Sequence, residues 1–335
     1  MNPFRTLLGP VVRWVFGLHA EETSYGRRGF RGATREMRQR LEQIGDTFLD
    51  GYHAALRFGA SRELTARLDA TELELRGFAY EGAAMGLALL DSLTPWTDRV
   101  LTLMRSEGER HTYMVHVGVG WIWARLPYFL QPHRSSGLDP LLRWLAYDGW
   151  GFHEGFFRWP KYVAGQTAPH RVQGYARRVF DQGLGRSFWF VNGGNPAWIK
   201  RTICEMSPER QSDLWSGIGL ASAYAGMVGE EILNELLEAA GKHRAALRQG
   251  AVFALKARQR ARNLTDYQDL AAHILCGMAA REAAQLADDT LKELIEPGSA
   301  ARATGASEPV YESWRKAIRE RLSDAECCHP GIAVH

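Results

Sequence analysis

Asp148-Gly149-Trp150-Gly151-Phe152-His153-Glu154-Gly155 and Ser216-Gly217-Ile218-Gly219-Leu220-Ala221 share one context, glycines set close together in an apolar run. Related segments are Asp50-Gly51-Tyr52, Glu81-Gly82-Ala83-Ala84-Met85-Gly86, Val117-Gly118-Val119-Gly120-Trp121, Gln182-Gly183-Leu184-Gly185 and Gln249-Gly250-Ala251. Taking glycines 51, 82, 118, 151, 183, 217 and 250, the intervals are 31, 36, 33, 32, 34 and 33 residues. Cys276-Gly277-Met278 reads as a shortened eighth member. Glycine inside a helix costs about 1 kcal/mol relative to alanine, so its repeated use needs a reason. Close approach of a neighbouring helix supplies one. The period is that of a helix–turn–helix repeat, and the reading is an all-α fold of helical-hairpin repeats, a tetratricopeptide-like α-solenoid.

The rest of the chain agrees. Leu41, Ile44, Phe48, Tyr52 and Ala55 form a helical stripe, and helical periodicity returns over 232–247 and 270–294. Only 163–167 and 191–195 have bounds that suit a short strand. The organisation expected is an N-terminal helix or arm over 1–24, a repeat domain over 25–295, a Pro/Gly/Ser-rich loop over 296–309, and a capping helix with a tail over 310–335. In the capping helix Val310, Trp314, Ile318 and Leu322 recur at spacing four.

Composition excludes several classes. The 335 residues carry 41 Lys plus Arg against 38 Asp plus Glu, a formal charge of +3 that calls for no nucleic acid. The basic run Lys256, Arg258, Arg260, Arg262 reads as a solvated helix face. Four sparse cysteines without CxxC spacing fit a reducing, cytoplasmic setting. Arg13 interrupts the apolar N-terminus, which therefore reads as a docked helix, with contact to a membrane surface as an alternative. The two Glu-x-x-His motifs of a carboxylate-bridged dimetal site, His-Glu-x-x-His, a P-loop and a nucleophile elbow are all absent, so no metal and no cofactor is expected.

Eleven tryptophans are the outlying number, seven of them between 121 and 198. Aromatics in glycine-rich helices suit either an ordinary core or a cavity for a flat apolar ligand. Candidate wall residues are Trp121, Trp150, Phe152, Phe156, Trp189 and Trp215, with Glu81, His116 and Arg186 as polar contacts. Candidate acid–base residues are His153, Glu154, Asp148 and Asp181, because a carboxylate near a histidine in an apolar setting shifts both groups' proton affinity.

Arg27-Arg28-Gly29-Phe30, Gly77-Phe78-Ala79-Tyr80-Glu81-Gly82, Asp139-Pro140-Leu141, the string 147–157, Phe180-Asp181-Gln182-Gly183-Leu184-Gly185-Arg186-Ser187 and Leu214-Trp215-Ser216-Gly217 together resemble a family encoded beside bacterial enediyne polyketide synthases, the UnbL-type proteins. The resemblance spans roughly 25–286, and the 147–157 string is its specific part. It implies a role in maturing a linear polyene, with a membrane protein and a propeller-type protein of the same gene cluster as partners. It carries over no catalytic residues. The function expected is binding, with or without chemistry, of a polyene or polyketide intermediate. A scaffold for partner proteins and self-protection by sequestering the product are the alternatives.

Overall fold

The computed structural model describes residues 16–127, 137–296 and 308–328, with side chains to 323. Among these residues the chain is helical and has no strand. Long helices α1 (Arg35–Phe58), α3 (Arg76–Leu93), α5 (Thr112–Arg125), α6 (Leu145–Ala164), α7 (Tyr175–Val191), α9 (Pro208–Ala225), α11 (Arg244–Arg260) and α13 (Ala280–Ile295) pack in that order, each on the next. Shorter helices α2 (Arg62–Asp69), α4 (Arg99–Met104), α8 (Pro196–Cys204), α10 (Glu230–Ala240) and α12 (Asp266–Cys276) connect many of them, and α14 (Val310–Cys328) packs on α11 and α13.

The glycines are the contact points. A methyl group on Gly82 would overlap the carbonyl of Phe48, and one on Gly86 would meet that of Tyr52. Both indices rise by four, so α1 and α3 run parallel. Gly118 faces Glu81, Gly149 faces Val117, Gly183 faces Asp148, Gly217 faces Gln182 and Gly250 faces Ser216, always at the preceding long helix. The second glycine of each pair faces forward: Gly120 to Ala146, Gly151 to Phe180, Gly185 to Leu214 and Gly219 to Leu247. One side chain omitted on each flank lets backbone meet backbone on both sides, which favours Cα–H···O contacts along the seams. By these contacts Gly149, rather than Gly151, is the counterpart of Gly118 and Gly183.

The structure corrects some expectations. Gly277 is a left-handed helix end (φ +72°) with open space around it, not an eighth packing glycine. It splits the 270–294 pattern into α12 and α13, as Gly241 (φ +50°) splits 232–247 into α10 and α11. Residues 163–164 end α6 and residue 191 ends α7, so neither suspected strand forms. The basic run is not a free face. Arg258 is buried, stacked 4.1 Å over Tyr224, while Lys256 pairs with Asp288 and Arg260 with Glu109. Trp314, Ile318 and Leu322 are buried as a capping helix requires, whereas Val310 is half-exposed. The expectations for 1–15 and for most of the 296–309 loop and the tail lie outside the described residues.

The row curls until its ends meet. Phe78 of α3 packs edge-on against Tyr224 of α9 at 5.3 Å. Arg258 donates to the Glu74 carbonyl at 3.0 Å, and Asn263 to that of Leu73 at 3.2 Å. The segment before α1 crosses to the α7–α8 turn, where the Arg31 amide donates to the Val191 carbonyl at 2.9 Å. The curl leaves an interior space.

Candidate functional site

Six long helices and the segment before α1 line an apolar cavity of about 60 Å³. Phe48, Phe78, Trp121, Phe152, Phe156 and Phe190 supply most of its aromatic wall, with Leu220, Ala221 and Tyr224 closing the α9 side. The rings are mutually oriented: Phe48 lies 4.3 Å from Trp121, Trp121 lies 5.4 Å from Phe152, and Phe152 meets Phe190 edge-on at 5.2 Å. Leu18, Glu22 and Thr23 cover one side. Thr23 seats against Gly45, donates to Asp46 at 2.7 Å, and fixes that cover to α1.

Glu81 and Arg186 are the charged residues deep in this wall. Trp121 Nε1 donates to Glu81 Oε1 at 3.0 Å, and Arg186 Nη2 stands 3.8 Å from the same oxygen. Arg186 also pairs through Nη1 with Asp148 and lies 4.9 Å over the Phe152 ring. Two buried carboxylates thus share one guanidinium. Burial, opposed by Arg186 and the Trp121 bond and aided by Asp148, pushes Glu81 up to about 7. Burial likewise raises Asp148, with Arg186 and Gln182 opposing it. Glu81 therefore titrates near neutrality, inside an apolar chamber.

Asp148 belongs to a second structure as well. It precedes Gly149, as Gln182 precedes Gly183, Ser216 precedes Gly217 and Gln249 precedes Gly250. These four buried side chains join across successive helices. Gln182 donates to Asp148 at 2.8 Å, and Ser216 lies 3.4 Å from Gln182 Oε1 and 3.0 Å from Gln249 Oε1. Arg315 of α14 donates to Gln249 at 3.2 Å and pairs with Asp213 at 2.8 Å and Glu312 at 3.0 Å.

Of the residues singled out from sequence, Glu81, Trp121, Phe152, Phe156 and Arg186 line the cavity. Asp148 lies behind Arg186. Asp181 is gripped by Arg210, with Nε to Oδ2 at 3.0 Å. Glu154 accepts from Tyr162 at 2.8 Å and from Arg158 at 3.4 Å. His153 is buried 4.0 Å from Glu154, behind Trp121 and Phe157. Burial, reinforced by Arg125, Arg158 and Arg28, holds it well below the usual histidine range, so it is neutral. His116 is tied to the Thr112 carbonyl at 2.7 Å and accepts from the Asp139 amide at 3.2 Å. Trp150, Trp189 and Trp215 are buried but are not cavity walls. Phe48 and Tyr224 are walls that the sequence reading did not single out; both sat inside helical patterns that fit a core equally well.

Among the described residues no group of three or more His, Cys, Asp or Glu is placed to hold a metal ion, and no helix is long and apolar enough to cross a membrane. Residues 7–322 match the family described as "Protein of unknown function (DUF1702)". The chain belongs to that family. No curated protein and no solved structure matches it.

Proposed function

We propose that the protein binds an extended, apolar, conjugated molecule in the aromatic cavity, and that this ligand is a polyene or polyketide intermediate of enediyne biosynthesis. The observation that carries the binding reading is the apolar chamber itself, with a carboxyl that titrates near neutrality, Glu81, set in its wall. Flat aromatic walls suit a conjugated chain, and a covered chamber shields it from water. The polyene assignment rests on the resemblance of the 147–157 string and its companions. We further read the row of parallel helices as a strongly curved helical-hairpin repeat, with the cavity on its concave face. In this reading the protein works in the cytoplasm, Glu81 is the group positioned to exchange a proton with the ligand, and Asp148 and Arg186 set its charge state.

Titration with 1,6-diphenylhexatriene, a neutral linear polyene, tests the binding. Tryptophan emission should quench saturably. Trp121→Phe should remove much of the quenching, and Trp150→Phe, off the cavity, should leave it unchanged. Absence of saturation, or equal behaviour of the two variants, breaks the reading.

A further inference from the structure

The chamber's mouth differs from its interior in charge. Phe157 lines the cavity at its edge. Arg28 lies 4.5 Å and Arg125 5.7 Å from the centre of its ring. Arg158 is the next residue in the chain. Two carboxylates face this cluster, and both are engaged: Glu22 with Arg28 and Arg27, Glu154 with Arg158 and Tyr162. Among the described residues no carboxylate pairs with Arg125, which is exposed beside Phe157. Arg27 is offset by Glu21, so Arg28, Arg125 and Arg158 against Glu22 and Glu154 leave an excess of one positive charge. Inside the same cluster is His153, 4 % exposed, its ring 4.8 Å from Phe157 and its Nδ1 buried without a hydrogen-bond partner. His153 Nδ1 is thus a buried polar atom left open close to one arginine, Arg125, that has no carboxylate partner among the described residues.

Resting on the binding reading above, we infer that this mouth receives the anionic end of the ligand: Arg125, with Arg28 and Arg158, takes a carboxylate or phosphate carried on the apolar chain that fills the chamber. The chemistry fits the parts. Guanidinium groups bind carboxylate and phosphate through charge-assisted hydrogen bonds, and Arg presents a planar fork to either. The aromatic interior takes the chain. Among the described residues the interior offers no free cation, because Arg186 is already shared by Asp148 and Glu81. An anionic head is therefore directed to the rim, and the ligand's orientation is fixed with its chain end toward Glu81.

The test compares cis-parinaric acid, a conjugated tetraene carboxylic acid that fluoresces when bound, with its methyl ester. On the full-length protein the acid should bind at least about tenfold more tightly than the ester at low salt, a difference of about 1.4 kcal/mol. That preference should shrink as salt rises. Arg125→Gln should cut it to less than about threefold while leaving ester binding unchanged, with the near-ultraviolet dichroism of the variant confirming the fold. Dodecyl phosphate as a competitor separates the two heads: displacement more potent than that by dodecanoate assigns the mouth to phosphate, and the reverse assigns it to carboxylate. Equal binding of acid and ester, or a preference that survives Arg125→Gln, overturns the inference and leaves the chamber reading standing. Failure of both probes to bind overturns the chamber reading, and this inference with it.

Discussion

Gln182 and Glu81 occupy the same place in their helices, the position before a packing glycine, yet they live in unlike surroundings. Gln182 is one rung of a chain that runs from Asp148 through Ser216 and Gln249 to Arg315, and each rung meets a neighbour on the next helix. The corresponding position on α5 is Val117, an apolar residue. The ladder is interrupted there, so Glu81 has no amide or hydroxyl partner from the adjacent helix and turns to Trp121 and Arg186 instead. A polar position repeated along a helical row is structural where its neighbours continue it. Where one neighbour is apolar, the same position is a carboxyl that burial pushes up to about 7. The contrast comes from one side chain, not from a different backbone.

Breaking the seams on which both depend should have the largest effect. Gly183→Ala places a methyl group inside the Asp148 carbonyl, where only backbone can move, and should cost more than about 4 kcal/mol or abolish folding. Gly229→Ala, with open space and ordinary helical-cap geometry, should change stability by less than about 0.5 kcal/mol in the same urea titrations. Equal effects would mean that the glycines are not the contact points.

Asp148→Asn sharpens the comparison next, because Asp148 belongs to both regions. Its loss leaves the buried Arg186 short of one counter-charge and should cost about 3 kcal/mol. It also removes the repulsion that helps keep Glu81 protonated, so the Glu81 titration should move down in pH. Infrared detection of the carboxyl band reads that shift. An unmoved titration would separate the two carboxylates.

Glu81→Gln gives the smaller effect, and it depends on pH. Burial raises the folded Glu81 above its ordinary 4.5 to about 7, so its stabilising contribution is complete below 4.5 and is lost as pH rises through 7. Wild-type stability relative to Glu81→Gln should fall by up to about 3 kcal/mol between pH 4.5 and 8, with each pH unit worth about 1.4 kcal/mol. A constant difference across that window would show that Glu81 is ionised throughout.

The helical class and the importance of the glycines were legible because a small residue at a fixed spacing is a local signal with one economical cause. The stripe Leu41, Ile44, Phe48, Tyr52, Ala55 was legible for the same reason: every member is buried. The cavity was legible only in part. Trp121 and Trp150 both sit beside paired glycines, and composition cannot say which faces inward; that depends on helix rotation, set by contacts with residues far along the chain. The acid–base candidates His153, Glu154, Asp148 and Asp181 came from the aromatic-rich middle of the chain, whereas the carboxyl in the cavity wall is Glu81, brought to Arg186 from more than 100 positions away. Breaks at Gly241 and Gly277 were hidden because apolar periodicity continues through them.

The closure contacts have a consequence for how the chain is made. Each glycine seam joins stretches about one hairpin apart, so seams can zip up successively as the polypeptide emerges. The bonds from Arg258 to Glu74 and from Asn263 to Leu73 cannot form until those late residues have been synthesised. Until then the row is an open ribbon with its aromatic side uncovered. The chamber is thus among the last features to come into being.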